Sequence, residues 1–320
     1  MKTYDVFNGD ADGVCALIQL HLAHPVESTL ITGVKRDIEL VRQVPLSEQV
    51  QVNILDISLD KNRGAVDALL SIGSRVFYVD HHFPGGSLPD HERFTALIDT
   101  QPTTCTSLLV DRHLGGQFHN WAITAAFGDN LNAVAEALAD KAGLTTAQTE
   151  SLKTLGVCIN YNGYGSTVED LHFHPADLYR EFVKFEDPLL LIESQPLAWQ
   201  KLRGGYEADM ANGLAAPVLA ENNSSLVVQL PDEPWARRVS GVLGNELANR
   251  NPDNACAIVT AKADGNYLVS IRAPLNNRTG ADELARQFPT GGGREAAAGI
   301  NSLPAGQLNE FLTVMAKFWS

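Results

Sequence analysis

The chain has 320 residues, 44% of them hydrophobic and 19% charged, with a formal net charge of −14. That length exceeds a single small core and predicts two domains, and the composition is that of a well-buried globular protein. The charge leaves no broad basic surface for long duplex nucleic acid, and no run of ~18 apolar residues offers a membrane span.

Residues 3–7 predict a first strand, entered directly from Met1 without the apolar core of a signal peptide, which points to the cytoplasm. Asn8-Gly9-Asp10-Ala11-Asp12-Gly13 follows, then an amphipathic helix from Val14 to His24 with Asp12 placed to cap it. Further strands are expected at 29–34, 50–55, 75–79 and 95–98, with helices over 38–43 and 59–73. Five strands alternating with helices predict a parallel, doubly wound α/β sheet. Parallel strands present their carboxyl ends at one edge, so Asp10, Asp12, Asp56 and Asp80 are expected to meet there.

From Thr104 to Ala215 the pattern is mainly helical, with Thr103, Thr104 and Thr106 reading as helix caps. Asn160–Gly165 reads as a loop by its Asn and Gly content, and residues 176–213 as two helices around Gln195-Pro196. Beyond Ala215 the pattern becomes α+β: a strand at 226–230, a helix at 235–249 and a hairpin over 255–272 turning at Asp264-Gly265. A short helix at 281–287 precedes Gly291-Gly292-Gly293, which reads as a turn able to bring backbone N–H groups to an anion. Residues 304–318 are amphipathic. The expected organisation is a domain over 1–190, a helical linker over 191–215 and a smaller α+β domain over 216–320. Cys15, Cys105, Cys158 and Cys256 form no C-x-x-C pair, so free thiols are expected and a zinc ribbon is excluded.

Tyr78-Val79-Asp80-His81-His82 delivers an acid and two histidines to a loop, an O/N donor set suited to a transition metal. Two carboxylates ~4 Å apart repel by ~4 kcal/mol at an effective dielectric near 20. Against a total stability of ~5–15 kcal/mol, four such groups demand protons or cations among them. Mixed Asp/His ligation suits Mn2+, with Fe2+, Co2+ and Zn2+ also compatible. A pair of ions sharing one carboxylate suits phosphoryl displacement.

Five motifs stand in order: Asn8-Gly9-Asp10-Ala11-Asp12-Gly13, Leu55-Asp56, Asp80-His81-His82, Phe127-Gly128-Asp129-Asn130, and Gly291-Gly292-Gly293-Arg294 with Ala297-Ala298-Gly299. Together they resemble the DHH phosphoesterase family, in its RecJ-like form with a DHHA1 substrate domain, over nearly the whole chain. The resemblance implies that Asp10 and Asp56 bind one metal ion. Asp12, Asp56, His81 and Asp129 would bind a second, with Asp56 bridging. Asp80 would orient His81, and His82 would face the substrate phosphate. Arg272, Gly291, Gly292, Gly293 and Arg294 would grip the substrate anion. Two positions depart from the pattern. Asn8 stands near the place where many members have a histidine, and with Asp80 it is a further candidate ligand. Arg294 stands where many have a histidine, and a guanidinium keeps phosphate binding open.

The implied activity is Mn2+-dependent hydrolysis of phosphate esters in dinucleotides, short oligonucleotides or nucleoside bisphosphates. A RecJ-like single-strand exonuclease is the second reading. The third, of another class, is a nucleotide-binding regulatory protein with a degenerate active site.

Overall fold

The computed structural model describes residues 1–320 and divides into two compact units, Met1–Gly204 and Gly205–Ser320. The first unit is built on β1 (Thr3–Phe7), α1 (Ala11–Ala23), β2 (Thr29–Ile31), β3 (Gln51–Leu55), α2 (Leu59–Ser71), β4 (Arg75–Asp80) and β5 (Phe94–Ile98). The five strands are all parallel, in the order β2-β1-β3-β4-β5. Their register sets one row: Phe7 pairs with Leu55, Leu55 with Val79, and Val79 with Leu97. Asn8, Asp56 and Asp80 are the next residues along their strands, so the sheet itself brings them to one edge.

Strand alternation sorts the core. Val6, Val52, Ile54, Val76 and Tyr78 pack with Leu59, Val66, Leu69 and Leu70 of α2. Phe7 turns the other way and meets Tyr179. The helices after the sheet are α3 (Thr106–His113), α4 (His119–Gly128), α5 (Asn132–Lys141), α6 (Thr146–Asn162), α7 (Pro175–Phe182), α8 (Pro188–Ser194) and α9 (Leu197–Leu214). α1 packs against α3, α4 and α7 as well as the sheet. It is therefore buried from Ala11 to His21 rather than amphipathic, because it has no face left for water. No helix is long and apolar enough to cross a membrane.

Several local expectations change. Asp10, not Asp12, caps α1, accepting from the Asp12 and Gly13 N–H groups. Asn160, Tyr161 and Asn162 close α6 instead of forming a loop. Residues 175–214 hold three helices, because Pro188 opens one at a position where its missing N–H costs nothing. Gln195, at φ +49, then separates α8 from α9.

The second unit contains β6 (Val218–Glu221), β7 (Ser225–Leu230), α10 (Pro234–Arg250), β8 (Ala255–Ala261), β9 (Tyr267–Arg272), α11 (Ala281–Ala285), β10 (Gly291–Arg294), β11 (Ala297–Leu303) and α12 (Leu308–Phe318). Its sheet runs β10-β11-β9-β8-β7-β6, antiparallel except for β7 with β8. The glycine run is thus an edge strand and not a turn. Gly291 packs so closely on α11 that a Cβ would lie 1.7 Å from the Ala285 carbonyl oxygen. Gly293, at φ +146, would place one 2.4 Å from Ala298 Cα. Pairing with β11 overrides the preference of glycine for turns.

Candidate metal-binding active site

Backbone geometry at the carboxyl edge of the first sheet aims the acidic side chains. Asn8 N–H donates to the Leu55 carbonyl, extending the β1–β3 ladder by one step, and Asp56 N–H does the same to Val79. Asp56 then turns into the left-handed region at φ +59. A non-glycine residue held there is strained, and such strain collects at sites whose surroundings over-determine it.

Asp12 sits in the first turn of α1, yet its carboxylate serves another helix. Its Oδ2 accepts the Thr106 N–H at 2.6 Å and its Oδ1 accepts the Ser107 N–H at 2.7 Å. The threonine side chains do not cap α3: Cys105 holds the cap position, Thr104 Oγ1 accepts from Arg112, and Thr106 Oγ1 donates to Asp56 Oδ1 at 3.2 Å. Asp12 therefore stabilises the α3 N-terminus through its charge and both oxygens.

Around these carboxylates stand His81 and Asp129. His81 Nε2 lies 3.4 Å from Asp56 Oδ1, 3.9 Å from Asp12 Oδ2 and 4.0 Å from Asp129 Oδ2. One donor atom each from Asp12, His81 and Asp129 falls within a 4.8 Å cluster, as does one each from Asp56, His81 and His82. Carboxylate oxygens and an imidazole nitrogen at these separations fit a divalent first-row metal ion. Asp12, His81 and Asp129 from one cluster and Asp56 from the other would thus hold such an ion, with His81 common to both.

Asp10 and Asn8, beside them, are committed to other partners. Asp10 Oδ1 is engaged by the Asp12 and Gly13 N–H groups at 3.0 and 3.1 Å. Its Oδ2 lies 2.6 Å from the Lys35 ammonium. Asn8 is also occupied: its Oδ1 accepts the Asp10 N–H and its Nδ2 donates to the Lys35 carbonyl. Asp80 Oδ1 takes the His82 ring at Nδ1, 2.7 Å away, and the His81 backbone N–H at 2.9 Å. The carboxylate thus orients the ring of His82 rather than that of His81.

The charges respond to this crowding. Burial lifts the Asp56 carboxyl well above the carboxylate range, and the charges of Asp10 and Asp12 add to the effect. Burial raises Asp129 too, with Lys35 opposing. For His81, burial disfavours the imidazolium, but the hydrogen bond and charge of Asp56, with Asp12 and Asp129, push it up to about 10. Burial also works against an ionised Asp10, but Lys35 prevails and holds that carboxyl below its usual value. Lys35 is raised well above its own, since Asp10, Tyr164 and Asp129 outweigh burial. The shifts of Asp56, Asp129 and His81 all favour their protonated forms, so a metal ion binding there would compete with protons.

In the second unit, Cys256, Arg272, Ala297 and Arg294 form one cross-strand row. Arg272 is held from both sides, its Nε donating to Asn245 Oδ1 at 2.8 Å and one terminal nitrogen to Ser270 Oγ at 3.1 Å. Arg294 is exposed.

A family model described as the DHHA1 domain matches residues 222–320. This part of the chain is a DHHA1 domain. The whole chain has the RecJ-like DHH fold. RecJ from Thermus thermophilus in complex with Mn2+ superposes with a TM-score of 0.63 at 16% identity, over 99% of this chain and 52% of that one. The chain therefore spans about half the length of that protein. A pGpG-specific phosphodiesterase, PggH, from Vibrio cholerae superposes with a TM-score of 0.56 at 14% identity, over 100% of this chain and 99% of that one. Exonuclease RecJ bound to manganese gives 0.54 at 16% identity, covering 99% and 90%. These likenesses are of fold. No curated protein matches the sequence.

Sequence reasoning overlooks Lys35 and Asn160 in the first unit, and Asn245 in the DHHA1 domain. Lys35 had a usable signal: it follows β2, whose carboxyl end lies at the same edge as the others. Asn160 and Asn245 lie on helices and carry no local mark.

Proposed function

We propose that the protein is a metal-dependent phosphoesterase that uses Mn2+ to hydrolyse phosphate esters in short nucleotides: dinucleotides, short oligonucleotides or nucleoside bisphosphates. The observation that carries this reading is the convergence of Asp12, Asp56 and Asp129 on His81, each with an oxygen 3.4–4.0 Å from His81 Nε2. A divalent ion held there would activate water and stabilise charge on phosphate oxygens. Asp80 fixes the His82 ring through Nδ1, which leaves Nε2 to exchange a proton or hydrogen bond with a phosphate oxygen. In the second unit, Arg272, Gly291, Gly292, Gly293 and Arg294 are the candidate groups for binding an anion. The short-substrate preference draws support from the net charge of −14 and from a neighbour of matching length that is a pGpG-specific phosphodiesterase.

Stripping the protein with a chelator and restoring Mn2+ is expected to abolish and then recover hydrolysis of a panel of dinucleotides, nucleoside bisphosphates, single strands and pyrophosphate. Full activity in Asp56→Ala would contradict the proposal. The RecJ fold favours a second reading, a single-strand exonuclease. Rates that fall with oligonucleotide length support the first reading, and rates that hold or rise support the second. Tight nucleotide binding without turnover in saturating Mn2+ would instead mark a regulatory protein.

A further inference from the structure

Lys35 is anchored at every polar point. Its ammonium lies 2.6 Å from Asp10 Oδ2, 3.1 Å from Asn160 Oδ1 and 3.7 Å from Asp129 Oδ1. The Tyr164 ring lies beneath it, 5.5 Å from nitrogen to centroid. Its backbone N–H donates to the Gly163 carbonyl at 2.8 Å, and its own carbonyl accepts from the Asn8 side chain at 3.3 Å. The side chain is only 26% exposed. A solvated surface lysine has none of these restraints.

The surroundings of this ammonium are those of a cation site: two carboxylates and an amide oxygen. Asp10 already carries a cation: Oδ1 is taken by two N–H groups and Oδ2 by the Lys35 ammonium, whereas each Asp12 oxygen accepts one neutral N–H and keeps a lone pair for an ion. Asn8 offers no imidazole nitrogen to compensate, and its amide clasps the very segment that carries Lys35. Asp129 spans both regions, one oxygen toward Lys35 and the other toward His81.

We infer that Lys35 supplies one of the two cationic positions of the site, so that the protein works with a single divalent ion and a fixed ammonium. The inference rests on the metal-dependent reading above and narrows it. The divalent ion belongs to Asp12, Asp56, His81 and Asp129. A second such ion on Asp10 would share an oxygen with the ammonium, at a separation where like charges in a buried site repel strongly. The ammonium differs from an ion in what it contributes. Its three N–H donors can bind carboxylate and phosphate oxygens, but it cannot lower the pKa of a water as a bound metal does. Activation of water is therefore assigned to one ion, and Lys35 holds negative charge in place beside it.

The test is a count of bound Mn2+ in the full-length, chelator-stripped protein. Free Mn2+ is read by electron paramagnetic resonance at room temperature and bound Mn2+ at low temperature. One equivalent with the spectrum of an isolated ion is expected. Two equivalents with an exchange-coupled spectrum would overturn the inference. If hydrolysis still depends on Mn2+ in that case, the proposed function stands. No bound Mn2+ would overturn both. Lys35→Ala frees Asp10 and is expected to gain a second, weaker equivalent, whereas Lys35→Arg keeps the charge and stays at one. A Lys35→Ala protein that is folded by thermal melt and still binds one ion shows that Lys35 does not exclude the second. Lys35→Met, which keeps the aliphatic stem, gives the same reading if Lys35→Ala fails to fold.

Discussion

Asp80 and His82 are joined through a single carboxylate oxygen: Oδ1 receives His82 Nδ1 at 2.7 Å, while Oδ2 is buried without a hydrogen-bond partner. The same Oδ1 takes the His81 backbone N–H. Asparagine offers one carbonyl oxygen and so can keep both contacts while losing the negative charge beside the His82 ring. Asp80→Asn is expected to lower kcat/KM by ~10–100-fold, the usual effect of removing a group that orients an active-site histidine. Its Mn2+ count should match the wild type. Loss of the ion would instead place Asp80 among the ligands.

Thr106 provides a smaller test of the same region. Its fully buried hydroxyl donates to Asp56 Oδ1 at 3.2 Å. Thr106→Val keeps the shape and deletes the donor, leaving a buried oxygen one partner short. The expected cost is ~1–2 kcal/mol in urea unfolding. Thr106→Ser retains the hydroxyl and should lie closer to wild type. Equal losses in both variants would mean that packing, not the hydrogen bond, matters there.

Much of the edge cluster was legible because it follows from topology. Strands that alternate with helices run parallel, and residues following parallel strands meet whatever their sequence separation, which brings Asp10, Asp56 and His81 together. What stayed hidden depends on reach across the fold. Lys35 reads as one ordinary charge in Lys35-Arg36-Asp37, and only the packing of α6 brings Asn160 to it. The glycine run misled for the opposite reason. Its composition signals a turn, but close packing on Ala285 and Ala298 requires glycine in a strand. β6 was overlooked because Val218–Glu221 has too few residues to show a period.

The Asp129 position depends on a close helix crossing. A Cβ on Gly128 would lie 2.4 Å from Ala11 Cβ and 2.8 Å from the Gly156 carbonyl oxygen. Gly128→Ala must therefore push α4 away from α1, and Asp129 is the next residue. Overpacking of this kind costs ~1–3 kcal/mol. Weaker Mn2+ binding is expected together with the lower stability. A variant that loses stability but binds Mn2+ as tightly as wild type would show that Asp129 does not depend on this contact.

The pair His119–Asp111 gives a pH signature away from the cluster. His119 Nδ1 lies 2.7 Å from Asp111 Oδ2, and that hydrogen bond, ahead of an opposing burial effect, raises the histidine above its ordinary 6.5. A group with a raised folded pKa adds stability that is complete below the unfolded value and fades as pH rises through the folded one. The histidine is 28% exposed, so the contribution is no more than about 1 kcal/mol. His119→Gln should therefore destabilise the protein more at pH 5.5 than at pH 9 in parallel urea titrations. An equal loss at both values would assign the effect to packing.

Gly292 separates folding from binding within the DHHA1 domain. Its neighbours Gly291 and Gly293 leave no room for a Cβ, whereas at Gly292 nothing lies within 4 Å of one. No packing contact in the chain requires glycine at this position, so a substitution here tests the proposed anion contact without a steric cost. Gly292→Ala is expected to change stability by no more than about 0.5 kcal/mol, as an open surface site allows, while raising KM for a dinucleotide with kcat little changed. Gly293→Ala combines a 2.4 Å clash with φ +146 and should cost stability first. An unchanged KM in Gly292→Ala would remove the glycine strand from the substrate site.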